Sequence, residues 1–144
     1  MSLSHDHHHA LVAARRLGRA ASLDADPAPA VASFVSFFET ESSVHFREEE
    51  EHVFPLVASV GEAQPLVVRA LLDHQSLRAL VRRLESSDDA RPVMAEIAER
   101  LEAHVRLEER ELFPLIERIA AAELERAPID VRTGGPVWDW RRTI

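Results

Sequence analysis

The sequence predicts an all-α fold, an up-down-up-down four-helix bundle over residues 1–126 with a non-helical C-terminal tail over 127–144. Ala, Leu, Glu and Arg dominate the composition and there are only 4 glycines, which is typical of helical proteins. Apolar residues recur at helical spacing in four segments, which short turns containing proline separate. A pattern of twelve residues, starting at His45, returns 59 residues later at His104, which indicates two similar helical hairpins facing each other across one core.

The first helix begins at a cap supplied by Ser4 or Asp6, and His7 points inward because small or apolar residues follow it at helical steps. The second, third and fourth helices are expected over about 30–59, 66–86 and 92–126. Loops this short join neighbouring antiparallel helices. Pro55 and Pro114 lie near the ends of the second and fourth helices and are expected to kink them.

Polar residues interrupt the inward stripes at one level of the predicted bundle. The inward polar residues are His7, His45, Glu49, His74, His104 and Glu108. In each copy of the repeat a histidine precedes a glutamate by four residues, so both side chains stand on one helix face, about one turn apart. Burying six such groups costs several kcal/mol unless positive charge satisfies them, and metal ions supply that charge.

The composition limits what this site and this protein do. The formal net charge of −8 argues against nucleic-acid binding, and the absence of cysteine excludes disulfides, thiolate metal sites and a thiol nucleophile. The absence of tyrosine excludes a tyrosyl radical on this chain. No segment has the length of a membrane span or the apolar run of a signal peptide, so we expect a soluble, cytoplasmic protein that contacts no membrane.

Imidazole and carboxylate ligands suit iron, manganese or zinc. Two carboxylates among four histidines suggest two ions, with Glu49 and Glu108 bridging them. If each ion binds the two histidines of one hairpin, one ion is held by His7 and His45 and the other by His74 and His104. With a bridge derived from solvent each ion has five ligands, and the sixth octahedral position is free for a small ligand.

Both copies of the repeat have the order His-x-x-x-Glu, whereas ferritin-like bundles have Glu three residues before His. With His7, His74 and the flanking Glu50/Glu109 and Phe-Pro pairs, this order resembles the hemerythrin-like (HHE cation-binding) family, over roughly residues 3–124. The resemblance implies a non-haem, carboxylate-bridged di-iron centre that binds or senses oxygen, nitric oxide or peroxide, or handles iron. Manganese or zinc accepts the same donors.

The chain departs from the oxygen-carrying hemerythrins at Arg78, where they have a further histidine. The set of four histidines and two glutamates looks more like the di-iron centre of iron–sulfur-cluster repair proteins, which are linked to nitric oxide and oxidative stress. Those proteins also have an N-terminal region with cysteine, and this chain has no cysteine. The alternatives are an oxidoreductase or scavenger of nitric oxide or peroxide, which needs a protein electron donor, and a metal-free structural bundle.

Four assignments stay open at this point. His8 or His9 can replace His7 as the N-terminal ligand, and the run from His5 to His9 also reads as part of a purification tag. His52 is either an extra ligand or proton donor, or a surface residue at a helix end. Phe34, Phe37 and Phe38 either form a dry pocket or belong to the core. The tail, with Trp138 and Trp140, is expected to pack on the bundle or on a partner.

Overall fold

A computed structural model describes the backbone of residues 3–126. The predicted tail over 127–144, with Trp138 and Trp140, lies outside the described residues. The predicted fold class is confirmed, because four long helices form an antiparallel bundle and the described part of the chain contains no strand. No helix among the described residues is long and apolar enough to cross a membrane.

The helices lie close to their predicted positions. They are α1 at Leu3–Ala21, α2 over 28–56, α3 at Gln64–Ser86 and α4 over 91–126. Prolines occupy the first turns of α2, α3 and α4, where the fixed φ of the ring suits a helix start and no intrahelical N–H is required. At Gly18, α1 approaches α4 so closely that an added Cβ would lie 3.1 Å from the Cβ of Ala98.

Helices α2 and α4 are interrupted by π turns, which the sequence did not predict. In α2 they lie at Phe38–Ser42 and Glu49–Val53, and in α4 the π turn lies at Glu108–Leu112. The last two begin at the glutamates of the repeat and are closed by the residue before a proline, with Phe54 N–H donating to the Glu49 carbonyl and Phe113 N–H to the Glu108 carbonyl.

The prolines act on the two helices differently. At Pro55, α2 ends in a short 3-10 segment, Phe54–Leu56, whereas α4 continues past Pro114 to Arg126. A proline lacks an N–H and its ring crowds the carbonyl four residues back, so both helices depart from regular α geometry just before it.

The core consists of two apolar clusters, one towards each end of the bundle. One cluster contains Phe38 and Phe46 of α2, Leu77 of α3 and Val105 of α4. The other cluster begins one or two turns further along α2 and α4, and on α3 it precedes His74. The inward polar residues therefore lie in a layer between two dry cores, where water cannot satisfy them freely.

Candidate metal centre

The six inward polar residues come from all four helices and are buried. The α1 helix supplies His7, α2 supplies His45 and Glu49, α3 supplies His74, and α4 supplies His104 and Glu108. Both glutamates are 0% exposed, and the most exposed of the four histidines is His45 at 7%.

Each glutamate lies between a histidine of its own hairpin and a histidine of the other. Oε1 of Glu49 is 3.3 Å from Nε2 of His45 and 3.4 Å from Nε2 of His74. Oε1 of Glu108 is 2.6 Å from Nε2 of His104 and 3.7 Å from Nε2 of His7. Ligands bound about 2.1 Å from one ion are separated by distances of this order.

The donor atoms form two groups of four, each with all its atoms within 4.8 Å of one another. One group contains His7 and His45 with both glutamates, and the other contains His74 and His104 with the same two glutamates. The two carboxylates therefore belong to both groups, which is the arrangement that two bridged ions require.

The protein atoms alone do not satisfy this cluster. Nε2 of His7, Nε2 of His45 and both carboxylate oxygens of Glu49 and of Glu108 lack a hydrogen-bond partner of acceptable geometry. Buried polar atoms are nearly always paired, because an unpaired one costs about 1–3 kcal/mol. Cations in the two groups would satisfy these atoms, so the residues fit a metal centre.

A family model, the Hemerythrin HHE cation binding domain, matches residues 2–116, which include all six of these residues. The chain belongs to the hemerythrin HHE family. The comparisons with curated proteins and with solved structures returned no significant match. The resemblance seen in the sequence is thus confirmed at the level of the family, and the histidine–glutamate clusters are the candidate metal site of this HHE domain.

Each of the four histidines in this HHE domain also faces a carboxylate through Nδ1, while Nε2 points into the cluster. The Nδ1 distances are 3.2 Å from His7 to Glu109, 3.1 Å from His45 to Asp6, 3.5 Å from His74 to Glu50 and 3.2 Å from His104 to Asp73. A carboxylate at Nδ1 fixes the tautomer and the ring orientation and strengthens Nε2 as a donor.

The sequence analysis missed the outer carboxylates Asp6 and Asp73. The signal for them is the dipeptide Asp-His, which occurs at Asp6 and again at Asp73, 67 residues later. Glu50 and Glu109 were noted as part of the repeat but were given no role. Which histidine each carboxylate faces depends on packing between helices, and the spacing within one helix does not reveal it.

The electrostatics of the cluster favour an ionised Glu49 with neutral His7 and His74 nearby. Burial opposes ionisation of Glu49, but the imidazoles of His45 and His74, 3.3 and 3.4 Å from its Oε1, outweigh burial and lower its pKa from 4.5 to about 2. Burial is the main cause that lowers the pKa of His7 and of His74. Burial also acts on His45, but Glu49 and Asp6 outweigh it and raise its pKa, so a cation at Nε2 of His45 competes with a proton.

Aromatic rings pack more closely on the second histidine group of this HHE domain than on the first. Phe46 stacks on His74 with ring centroids 3.9 Å apart, and Phe54 lies on His74 at 5.7 Å. His7 is stacked against Phe113 at 5.3 Å. The position that repeats Phe46 is Val105, whose smaller side chain fills less space.

A cavity of about 20 Å³ lies beside Val105. Its lining includes His7, His45 and Glu108, together with Ser42 and Val105. A space of this size admits one water-sized molecule. Both histidines of the first group line the cavity, whereas only His104 of the second group does, so the first group is the more accessible one.

Arg78 stands where the oxygen carriers of this family are expected to have a further histidine. Its guanidinium lies 2.6 Å from Oε1 of Glu50, the carboxylate that faces His74, and 5.7 Å from the centroid of the Phe46 ring. Arg78 thus closes the outer side of the second histidine group and supplies no ligand.

The other histidines considered as possible ligands, His8, His9 and His52, lie outside the cluster. His8 is exposed, and His9 lies 2.9 Å from Oε1 of Glu41 at the surface, so only His7 of the three is buried in the site. The side chain of His52 is 49% exposed and lies 3.9 Å from Glu48, as expected for a surface histidine. The predicted phenylalanines are core residues, with Phe34 and Phe38 buried and Phe37 packed against them.

Proposed function

We propose that this HHE domain holds two iron ions and binds a small diatomic molecule or peroxide at one of them. One ion is held by His7 and His45 and the other by His74 and His104, with Glu49 and Glu108 bridging. The observation that carries the proposal is that both buried glutamates belong to both groups of donors.

The donor set supports iron, because imidazole with carboxylate is a combination that non-haem iron accepts. Manganese and zinc accept the same donors, and metal analysis distinguishes them. A reduced pair of irons supplies two electrons to a bound ligand. The residues of the chain hold the pair in position, since each Nδ1 carboxylate orients one imidazole and the two apolar clusters keep bulk water away.

The cavity beside His7 and His45 is the place where the small ligand binds. Its volume of about 20 Å³ suits a molecule of two heavy atoms only after slight movement of its lining, and larger substrates do not fit. Ser42 is the residue with a side-chain hydroxyl in the lining, and it faces a ligand held there from the side of α2. We therefore favour binding or sensing of a diatomic ligand over the turnover of larger substrates as the function of this site.

Turnover of nitric oxide or peroxide is the second candidate, since the same donor set resembles the di-iron centre of iron–sulfur-cluster repair proteins. Such turnover needs electrons from a partner protein. Steady consumption of nitric oxide or peroxide by the iron-loaded protein with a reductant would favour it over reversible binding.

The deciding experiment is metal analysis of untagged protein purified under reducing conditions, with an optical spectrum recorded before and after exposure to air. About two irons per chain and new charge-transfer bands in air are the expected results. One zinc or no metal, unchanged after reconstitution with iron, would overturn the di-iron proposal.

A further inference from the structure

A second cluster of histidine and carboxylate lies at the surface of the first turns of α1. His5 and His9 are one helical turn apart on the same face, with ring centroids 4.3 Å apart. Nδ1 of His9 lies 2.9 Å from Oε1 of Glu41 on α2. Outside the buried centre, His9 therefore contacts the carboxylate of Glu41 through Nδ1 and has the ring of His5 beside its own.

Glu41 reaches α1 from the π turn Phe38–Ser42. The corresponding segment of the second hairpin, 59 residues later, belongs to the regular α-helix Arg91–Leu107. There the residue equivalent to Glu41 is Arg100, which pairs with Glu96 on its own helix at 3.1 Å. The surface cluster is thus a feature of one hairpin only, and the repeat does not explain it.

The chemistry of the cluster suits a divalent transition ion. Histidines four residues apart on a helix can bind one ion together, as they do in helical zinc sites. The distance of 2.9 Å between His9 and Glu41 is similar to the distances between donors in the buried centre. The side chains of His9 and Glu41 are 38% and 43% exposed, so water completes the coordination and the ion exchanges readily.

One residue of the surface cluster also lines the cavity beside the buried centre. Glu41 lines this cavity together with His7 and His45. An ion held by Glu41 at the surface is therefore next to the side of the buried centre that is less filled by aromatic rings.

We propose that His5, His9 and Glu41 form an exposed, exchangeable site for a divalent transition cation, which captures the ion and passes it to the buried centre. The capture step stands on the surface residues alone. The transfer step rests on the proposed function, since it requires the buried centre to take the same ion.

Capture is tested on the protein with its buried centre already filled, by calorimetric titration with Zn²⁺. The wild type is expected to bind one additional Zn²⁺ per chain, and His9→Gln and His5→Gln should weaken this binding by roughly 10- to 100-fold. His8→Gln is the matched control, because His8 is exposed on the same turn but its ring lies 6.4 Å from that of His9. No additional Zn²⁺, or equal weakening by His8→Gln, would overturn the proposal.

Transfer is tested by loading metal-free protein with Fe²⁺ and following the rate at which the buried centre fills. His9→Gln is expected to slow loading severalfold and to reach the same final iron content as the wild type, whereas His8→Gln loads at the wild-type rate. Equal rates in all three proteins would overturn the transfer step. Zn²⁺ bound at the surface of a protein whose centre takes no metal would contradict the proposed function and leave the surface site standing.

Discussion

Phe46 stacks on His74 with ring centroids 3.9 Å apart and an interplanar angle of 9°. This contact fills the space beside the second histidine group, and Val105 leaves the equivalent space beside His7 partly empty. The two halves of the centre have matching donors and unequal access, and the first prediction follows from this difference.

Val105→Phe should fill the cavity and weaken binding of a small ligand such as nitric oxide or azide by about tenfold or more, which corresponds to 1.4 kcal/mol. The iron content should stay unchanged, because Val105 supplies no donor. Overpacking is expected to lower the free energy of unfolding by about 1–3 kcal/mol. Optical titration of the iron-loaded protein measures the ligand affinity.

Val68→Phe is the control, since Val68 is 54% exposed and lies outside the cavity lining. It should leave both ligand affinity and iron content as in the wild type. Unchanged ligand binding in folded, iron-loaded Val105→Phe protein would show that the ligand approaches from another side.

Glu49→Gln should remove most of the bound metal. A neutral amide bridges two cations poorly, and this position belongs to both donor groups. We expect the metal affinity to fall by more than about 100-fold, beyond the effect of losing an outer partner. Metal analysis after dialysis measures it, and Glu51→Gln, which changes an exposed glutamate two residues away, should retain the metal. Full metal content in Glu49→Gln would exclude Glu49 as a bridging ligand.

Asp73→Asn should weaken metal binding by roughly 10- to 100-fold, because His104 loses the carboxylate that orients it. Asp6→Asn should have a similar effect through His45, since the two contacts differ by only 0.1 Å, at 3.1 and 3.2 Å. Competition with a chelator measures the affinities, and Asp88→Asn in the exposed turn before α4 is the control. If all three variants bind metal equally, the outer carboxylates have no role in binding.

Removing the metal should lower the thermal stability of the bundle. At free metal concentrations about 100 times the Kd, binding stabilises the folded state by about 2.7 kcal/mol. For a domain of this size, that corresponds to a decrease in Tm of roughly 5–10 °C on chelation. Calorimetry before and after chelation tests this, with metal added back as the control. An unchanged Tm would favour the metal-free structural bundle.

The metal-free protein should lose stability in acid through Glu49. Its pKa is about 2 in the folded state, below the ordinary value of 4.5. A group with a depressed pKa stabilises the folded state above its unfolded pKa, and this contribution disappears as the pH falls from about 4.5 towards about 2. The free energy of unfolding should therefore fall more steeply in this window in the wild type than in Glu49→Gln. Parallel curves for the two metal-free proteins would show that the contacts of Glu49 with His45 and His74 do not stabilise its ionised form.

The fold could be predicted from the sequence because helical periodicity is a local signal. The inward stripe of α2 is an example, since Phe34, Phe38, Ser42 and Val53 are all buried, as the spacing predicts. Most successive residues of this stripe are four positions apart. In a regular helix of about 3.6 residues per turn, such residues move gradually around the helix axis. The π turns contain more residues per turn and so keep the stripe on the inward face. A prediction that assumed regular helices could not locate these π turns.

The candidate site could be predicted in part. The six inward polar residues interrupt apolar stripes, so they stand out in the sequence, and the structure places all six in one buried cluster. Their role as metal ligands stays a prediction. The pairing of His104 with Asp73 and the cavity at Val105 depend on how side chains from different helices meet. No periodicity within one helix contains that information.

Two of the four carboxylates at Nδ1 connect the hairpins reciprocally, since Glu50 of the first faces His74 of the second and Glu109 of the second faces His7 of the first. These are the contacts that a homodimer of a single hairpin would make across a twofold axis. Because the two hairpins are joined in one polypeptide, the sequence of each hairpin can change independently of the other. Val105 can then differ from Phe46, so that the spaces beside the two histidine groups are filled unequally, which a symmetric homodimer could not achieve.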